Sequence, residues 1–346
     1  MNTETITICR PDDMHVHLRE GETLSNVLPY TSSIFARGVV MGNLPEPIAT
    51  ASDVERYREE ILSVAPDFSP IMSIMLTEST TPETLEKACR AGVKVLKFIP
   101  GNISTGSAKK LDLPHLRKLT PLLEKVRDLG MVFSCHFECG FHPNGAPIPK
   151  IHQENFAIRH AKHVADFVPD LKMVVEHVTT ERMIDFIFWE APDNIAATIT
   201  AHHAILLYDD VCDKDDSVRN PLHYCKPVAK HEADRMKLRQ MMTTGNRKFF
   251  FGSDTAPHPL WKKRGPNPAA GIFSAPVALP LLCQIFEEED ALENLEKFVS
   301  KNGADFYGLP RNQGTITLKK ESWTVPEVLE GTTVFMGGKT LDWKVC

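Results

Sequence analysis

The chain has 346 residues, with 39 Lys+Arg against 45 Asp+Glu, a formal charge of −6 before any histidine is protonated. That balance excludes a nucleic-acid binder built on phosphate neutralisation, which needs a basic excess or stripe; the one cationic cluster is Trp261-Lys262-Lys263-Arg264. At 42% hydrophobic and 24% charged residues, the composition is that of a folded globular protein with a sizeable core, outside the disordered regime.

Met1-Asn2-Thr3-Glu4-Thr5 carries neither the basic nor the apolar region of a secretory signal, and its early Glu opposes a transit peptide. No apolar run approaches the roughly 18 residues that span a bilayer. A cytoplasmic protein with no membrane partner is expected. Eight scattered cysteines are too sparse for a disulfide framework and read as small buried hydrophobes. Cys135 and Cys139 do not form a CxxC, and no second pair completes a Cys₄ zinc site.

In chain order, short β-branched runs alternate with longer amphipathic stretches. Eight strands are predicted: Asp13–Leu18, Gly38–Asn43, Ile71–Leu76, Val93–Ile99, Met131–His136, Leu171–His177, Asn194–Thr200 and Lys248–Ser253. Helices are predicted at Ser52–Val64, Thr81–Ala91, Leu113–Leu129, Glu154–Phe167, Thr180–Trp189, His231–Thr244 and Ala275–Phe286. Starts such as Thr80-Thr81-Pro82-Glu83 combine a cap, an early proline and an early carboxylate. The alternation implies parallel βαβ units. Eight of them fit a (β/α)₈ TIM barrel of the α/β class better than an open doubly wound sheet.

From about Arg311 the pattern changes to short strands, Thr315–Leu318, Thr332–Met336 and Leu341–Val345, around turns such as Gly337-Gly338. This predicts a short C-terminal β appendage or lid. One domain is expected over residues 1–346, with the barrel at about 6–310 and the β segment at about 311–346. The stretch Ala201–Lys230 is long for a βα loop and is a candidate for substrate contacts.

Functional side chains of a barrel stand at the C-terminal ends of its strands. Those positions hold His15 and His17 on the first strand, Lys97 on the fourth, His136 on the fifth, His177 on the sixth and Asp254 just past the eighth. Two residues apart on a strand, His15 and His17 project from one face, the geometry for two imidazoles sharing a metal. Any single histidine here could be a satisfied polar residue. Four histidines and an aspartate at four strand mouths read jointly as a metal site.

Period-2 alternation puts Lys97 on the same face as Val93, Val95 and Ile99, with Lys94 opposite. If that face is the interior, burial lowers the amine's pKa and populates the neutral form, which adds CO₂ to give a carbamate able to bridge two metals. The alternative is an ammonium that snorkels to the barrel mouth or pairs with Asp254.

This order of ligands resembles that of the binuclear amidohydrolase superfamily, and within it the short, single-enzyme dihydroorotases. The resemblance rests on Arg10-Pro11-Asp12-Asp13-Met14-His15-Val16-His17-Leu18-Arg19, Val40-Met41-Gly42-Asn43-Leu44, Lys97-Phe98-Ile99-Pro100, Glu176-His177-Val178-Thr179-Thr180, Gly252-Ser253-Asp254-Thr255-Ala256-Pro257-His258 and Asn302-Gly303-Ala304-Asp305-Phe306-Tyr307-Gly308-Leu309-Pro310. It implies two Zn²⁺ per chain. His15, His17 and Asp254 would hold the more buried ion, His136 and His177 the second, and N6-carboxylated Lys97 both. A hydroxide between the metals would attack, with Asp254 as general base and acid. The implied reaction is the reversible closure of N-carbamoyl-L-aspartate to L-dihydroorotate, in de novo pyrimidine synthesis, by a homodimer.

The resemblance extends to the substrate. Arg19, Asn43 and His258 would read its free carboxylate, and backbone contacts fall near His223 and Ala270. At position 223 the family carries an apolar residue. Gly101-Asn102-Ile103-Ser104-Thr105-Gly106-Ser107 reads as a hinged loop; in the family it closes with two hydroxyls, usually both threonine, here Ser104 and Thr105. A cyclic amidase for hydantoins or dihydropyrimidines is the nearest rival reading, and would not need Arg19 and Asn43 for a carboxylate. A barrel that had lost catalysis would lack ligands, and all six are present. His160, His163, His202, His203 and Glu138 read as structural or surface groups.

Overall fold

The computed structural model describes residues 4–101, 103 and 111–346. Ser104 and Thr105 lie outside the described residues. β1 (Thr5–Cys9) belongs to a small sheet taken up below. β2 (Asp12–Val16), β3 (Arg37–Val40), β4 (Ser69–Met75), β5 (Val95–Phe98), β6 (Val132–Cys135), β7 (Met173–Val175), β8 (Ile195–Ile199) and β9 (Phe249–Phe251) form one parallel sheet in chain order. Each overlaps one of the eight predicted runs. The ring closes where Val16 bridges Thr255, with Asp254 N–H donating to the His15 carbonyl at 2.9 Å and His17 N–H to the Thr255 carbonyl at 3.0 Å.

Burial on both faces explains why these strands read as apolar runs. Met14, Val39, Ile71, Val95, Val132, Val174, Ala196 and Phe250 pack with Tyr307 as a cluster inside the ring, separate from the larger core between strands and helices. Lys97 stands two residues beyond Val95 on the same strand, one layer nearer the mouth on the inward face.

The outer helices are α1 (Gly21–Ser32), α2 (Ala51–Val64), α3 (Pro82–Arg90), α4 (Thr120–Asp128), α5 (Gln153–Phe167), α6 (Glu181–Asp185) and α7 (Glu232–Thr243), then α8 (Leu260–Lys263), α9 (Ala275–Glu288) and α10 (Asn302–Tyr307). No helix is predicted where α1 lies, because Pro29 interrupts it; its buried Leu24, Val27, Leu28 and Thr31 nonetheless keep helical spacing. The single helix predicted over Leu113–Leu129 divides into a 3₁₀ turn, Leu113–Arg117, and α4, which has Pro121 in its first turn. No helix among the described residues is long and apolar enough to cross a membrane.

At the N-terminal end of the barrel the buried Arg37 grips Asp12 through two hydrogen bonds, of 2.8 and 2.7 Å, and reaches the Pro310 carbonyl at 2.8 Å. Removing one partner strands the other charge, so Arg37→Ala is expected to cost about 3–5 kcal/mol in chemical denaturation. A loss within experimental error would show that this pair does not hold the barrel base.

The predicted β appendage is present and recruits an unpredicted strand. β10 (Thr315–Thr324) pairs antiparallel with β1 on one side and β13 (Thr340–Val345) on the other. Residues 5–9, assigned in part to the barrel from sequence, therefore belong to this sheet. A hairpin of β11 (Val328–Leu329) and β12 (Thr332–Thr333) leads to Phe335, whose N–H donates to the Phe273 carbonyl at 2.9 Å and joins the appendage to the barrel.

Candidate metal centre and active site

Four buried histidines, Asp254 and Lys97 converge on one cavity, open at the barrel mouth. His15 Nε2 and His17 Nε2 are 3.2 Å apart, and Asp254 Oδ1 lies 3.4 and 3.0 Å from them. His136 Nδ1 and His177 Nε2 form a second pair at 3.2 Å. Nitrogen ligands about 2.0–2.1 Å from a tetrahedral zinc sit about 3.3 Å from each other, so both sets have the spacing of donors around an ion. Lys97 Nζ is buried beside them with no hydrogen-bond partner among the described residues. Native interiors rarely leave such a donor unpaired.

Protonation fits as well. Burial lowers His17 to about 4, against the opposing pull of Asp254, and drops His136 and His177 below the usual imidazole range. Burial works to raise Asp254, but the hydrogen bond from His17 and the fields of the nearby histidines outweigh it and hold the carboxyl well below its ordinary value. Neutral imidazoles and an ionised carboxylate are the forms that bind metal. Burial also lowers Lys97, although Glu176 and Asp254 oppose that shift.

The backbone is bent to aim these groups. Eight non-glycine residues have positive φ among the described residues, and three of them are Arg19 (64°), His177 (39°) and Asp254 (44°). Left-handed backbone is costly for such residues and persists where surrounding contacts enforce it. For Arg19 the lock is Tyr57, whose hydroxyl donates to the Arg19 carbonyl at 2.6 Å. Gly252 solves a steric problem, since a Cβ there would stand 2.8 Å from His15 Cβ and 3.0 Å from Thr198 Cβ.

Supporting carboxylates surround the ligands, and sequence reasoning assigned none of them a role. Glu176 Oε2 lies 2.7 Å from His15 Nδ1 and also accepts from Thr198 Oγ1 at 2.6 Å. Asp13 accepts from the N–H groups of His15 and Ser253, at 3.2 and 2.8 Å. Glu138, read from sequence as structural or surface, is buried with Oε2 2.7 Å from His136 Nε2. Glu176 and Glu138 fix ring tautomers from behind, and Asp13 ties the His15 backbone to that of Ser253. The available signal was adjacency: Glu176 precedes His177, and Glu138 follows His136 by two. Glu176→Gln is expected to weaken metal binding by roughly 10–100-fold in chelator competition; unchanged affinity would deny it that role.

The predicted anion contacts come together in part. Arg19, Asn43, His258 and Ala270 line the cavity. Arg19 Nη2 lies 3.0 Å from His258 Nε2, which lies 3.0 Å from the Ala270 carbonyl. Burial, reinforced by Arg19, lowers His258 to about 3. The neutral ring therefore either accepts from Arg19 or donates to Ala270 through that nitrogen, according to tautomer. His223 is not in this cavity; it lines a neighbouring cleft, 5.8 Å ring to ring from Phe335. The residue of that loop that does reach the cavity is Lys226, and its ammonium donates to the Ile103 carbonyl.

Residues 8–327 match the family model of the Amidohydrolase family, which fixes the class as metal-dependent hydrolase. The chain is 39% identical over 353 residues to the dihydroorotase of Teredinibacter turnerae, covering 99% of each chain. Among solved structures it is similar to the Saccharomyces cerevisiae dihydroorotase in complex with 5-fluoroorotic acid, with TM-score 0.92, 31% identity and coverage of 99% and 98%. It is also similar to dihydroorotase from Campylobacter jejuni, with TM-score 0.87, 31% identity and coverage of 100% and 98%. The chain belongs to the dihydroorotase family.

Proposed function

We propose that this barrel mouth opens and closes the ring of L-dihydroorotate with two zinc ions. Membership of the family makes the chain a hydrolase of a cyclic amide C–N bond in pyrimidine biosynthesis. The observation that carries the site reading is the pairing of two sets of buried donors, each spaced as ligands, with a Lys97 Nζ that has no hydrogen-bond partner among the described residues.

In this reading His15, His17 and Asp254 hold one zinc, His136 and His177 the other, and Lys97 both. Bound zinc supplies Lewis acidity, which polarises the ring carbonyl and lowers the pKa of water. The remaining work falls to the chain's own residues. Lys97 in its neutral form adds CO₂, releasing one proton and leaving an anionic carbamate. Asp254 accepts a proton from water as the oxygen adds to the ring carbonyl, then delivers it to the departing ring nitrogen as the C–N bond breaks. In reverse, N-carbamoyl-L-aspartate closes and water leaves. Arg19, Asn43 and His258 bind the substrate carboxylate, with Ser104 and Thr105 closing over it and backbone near Ala270 lining the pocket. In the loop where a backbone contact near His223 is expected, Lys226 lines the cavity. A cytoplasmic homodimer completes the proposal, and light scattering checks the oligomer.

The test is metal analysis with a ring-opening assay. At least two zinc ions per chain, the pair at the mouth, should accompany turnover of L-dihydroorotate, with dihydrouracil left intact for want of a carboxylate. Turnover of dihydrouracil at a comparable rate would move the reading to the hydantoin and dihydropyrimidine class. A metal-replete sample inert toward dihydroorotate would overturn it.

A further inference from the structure

The segment joining β8 to α7 contains a second group of donors that the reaction does not use. His202, His203 and Cys225 are all buried, and each offers a ligand atom within 4.8 Å of the other two. Cys225 Sγ lies 3.5 Å from His203 Nε2. With a zinc–sulfur bond of about 2.3 Å and a zinc–nitrogen bond of about 2.0 Å, the corresponding edge of a tetrahedral site is also about 3.5 Å.

A second observation points the same way. His202 is 0% exposed, and neither ring nitrogen has a hydrogen-bond partner among the described residues. Its ring sits 4.5 Å from that of His203 and 6.1 Å from that of Phe335, so its polar atoms are shut in without compensation. Burial also holds His202 well below the usual imidazole range and His203 at about 4, leaving both neutral.

His203 is already set to change partners without turning. Its Nδ1 lies 2.9 Å from Thr200 Oγ1 and its Nε2 2.8 Å from the Pro227 carbonyl. Unliganded, Nε2–H donates to Pro227. With a cation bound, Nδ1–H donates to Thr200 and the Nε2 lone pair is released, the outer-shell arrangement usual for a metal-bound imidazole. The Pro227 carbonyl, 3.3 Å from Cys225 Sγ, is the nearest fourth donor.

We propose that His202, His203 and Cys225 form a structural zinc site, distinct from the centre at the barrel mouth. On binding, the Cys225 thiol gives its proton to solvent as the sulfur–zinc bond forms. The ion would clip the two ends of the long β8–α7 segment together. That segment carries Lys226, the neighbour of Cys225, to the wall of the active cavity.

Zinc-replete whole protein tests this by zinc K-edge X-ray absorption. A sulfur shell at about 2.3 Å is expected beside the nitrogen and oxygen shell, because the mouth centre has no sulfur ligand. Cys225→Ser should abolish that shell and bind one zinc fewer per chain than the parent, and His202→Asn should bind the extra zinc more weakly. A parent spectrum without sulfur overturns the proposal whatever the variants do, as does a sulfur shell that survives Cys225→Ser. Failure of the mouth centre to take up zinc would lower the count to about one zinc per chain and leave the sulfur shell with its two imidazole nitrogens, so the two readings fail separately.

Discussion

Lys97→Met is expected to give a protein that folds better without metal and does not turn over. In the metal-free parent a fully enclosed amine lies near Glu176 and Asp254 with no hydrogen bond among the described residues. Replacing it with an apolar chain of similar length removes an unsatisfied polar group, an effect of about 1–3 kcal/mol in stability. The same change deletes the amine that would become the carbamate. Activity should therefore fall by more than the roughly 10–100-fold typical of losing an outer-shell partner. Lys97→Ala leaves room where the side chain was, and short carboxylic acids should restore part of its turnover. Denaturant titration of the metal-free proteins and steady-state assays of the loaded ones check both halves. A destabilised metal-free Lys97→Met variant, or one with parental turnover, would refute the account.

Asp254→Asn should lower kcat by roughly 10²–10⁴-fold, the range for a general acid–base group, with KM little changed. Asparagine is the informative replacement because it tolerates the left-handed backbone at this position, φ 44°, better than alanine does. A linkage effect follows. The Asp254 carboxyl is held well below its ordinary value in the folded chain, so it stabilises the metal-free fold above the unfolded pKa, and that contribution is lost as pH falls through the folded pKa. The parent should lose more stability on acidification than the Asn variant. Equal acid sensitivity would show that the imidazoles do not hold Asp254 in its ionised form.

Most of the site was legible because strands impose a simple rule. Alternate residues share a face, and strand ends meet at the mouth; alternation put His15 with His17 and turned Lys97 inward, while His136 and His177 were read as the ends of their runs. What was not legible depends on the path of irregular backbone. Nothing in the pattern of Ala201–Lys230 says whether His223 or Lys226 enters the cavity, because a loop has no period to count. Glu176 and Asp13 escaped for another reason: a buried carboxylate is recognised by what it faces, and these face His15 and Ser253, 161 and 240 positions away, whereas Glu138 faces His136 only two positions back. Likewise α1 was hidden by one proline and β1 by a partner strand at the far end of the chain.

That last pairing bears on how the molecule is made. Thr7 and Thr317, whose hydroxyls meet at 2.9 Å, are 310 residues apart, while each barrel strand pairs with its immediate successor. At about 5–20 residues per second, ribosomal synthesis separates the two sides of the small sheet by roughly 15–60 s. Strand β1 must wait through that interval with its edge uncovered as the barrel accretes behind it. The nascent chain is then exposed to aggregation at β1, and β10 acts as the seal that ends the exposure of the edge it covers.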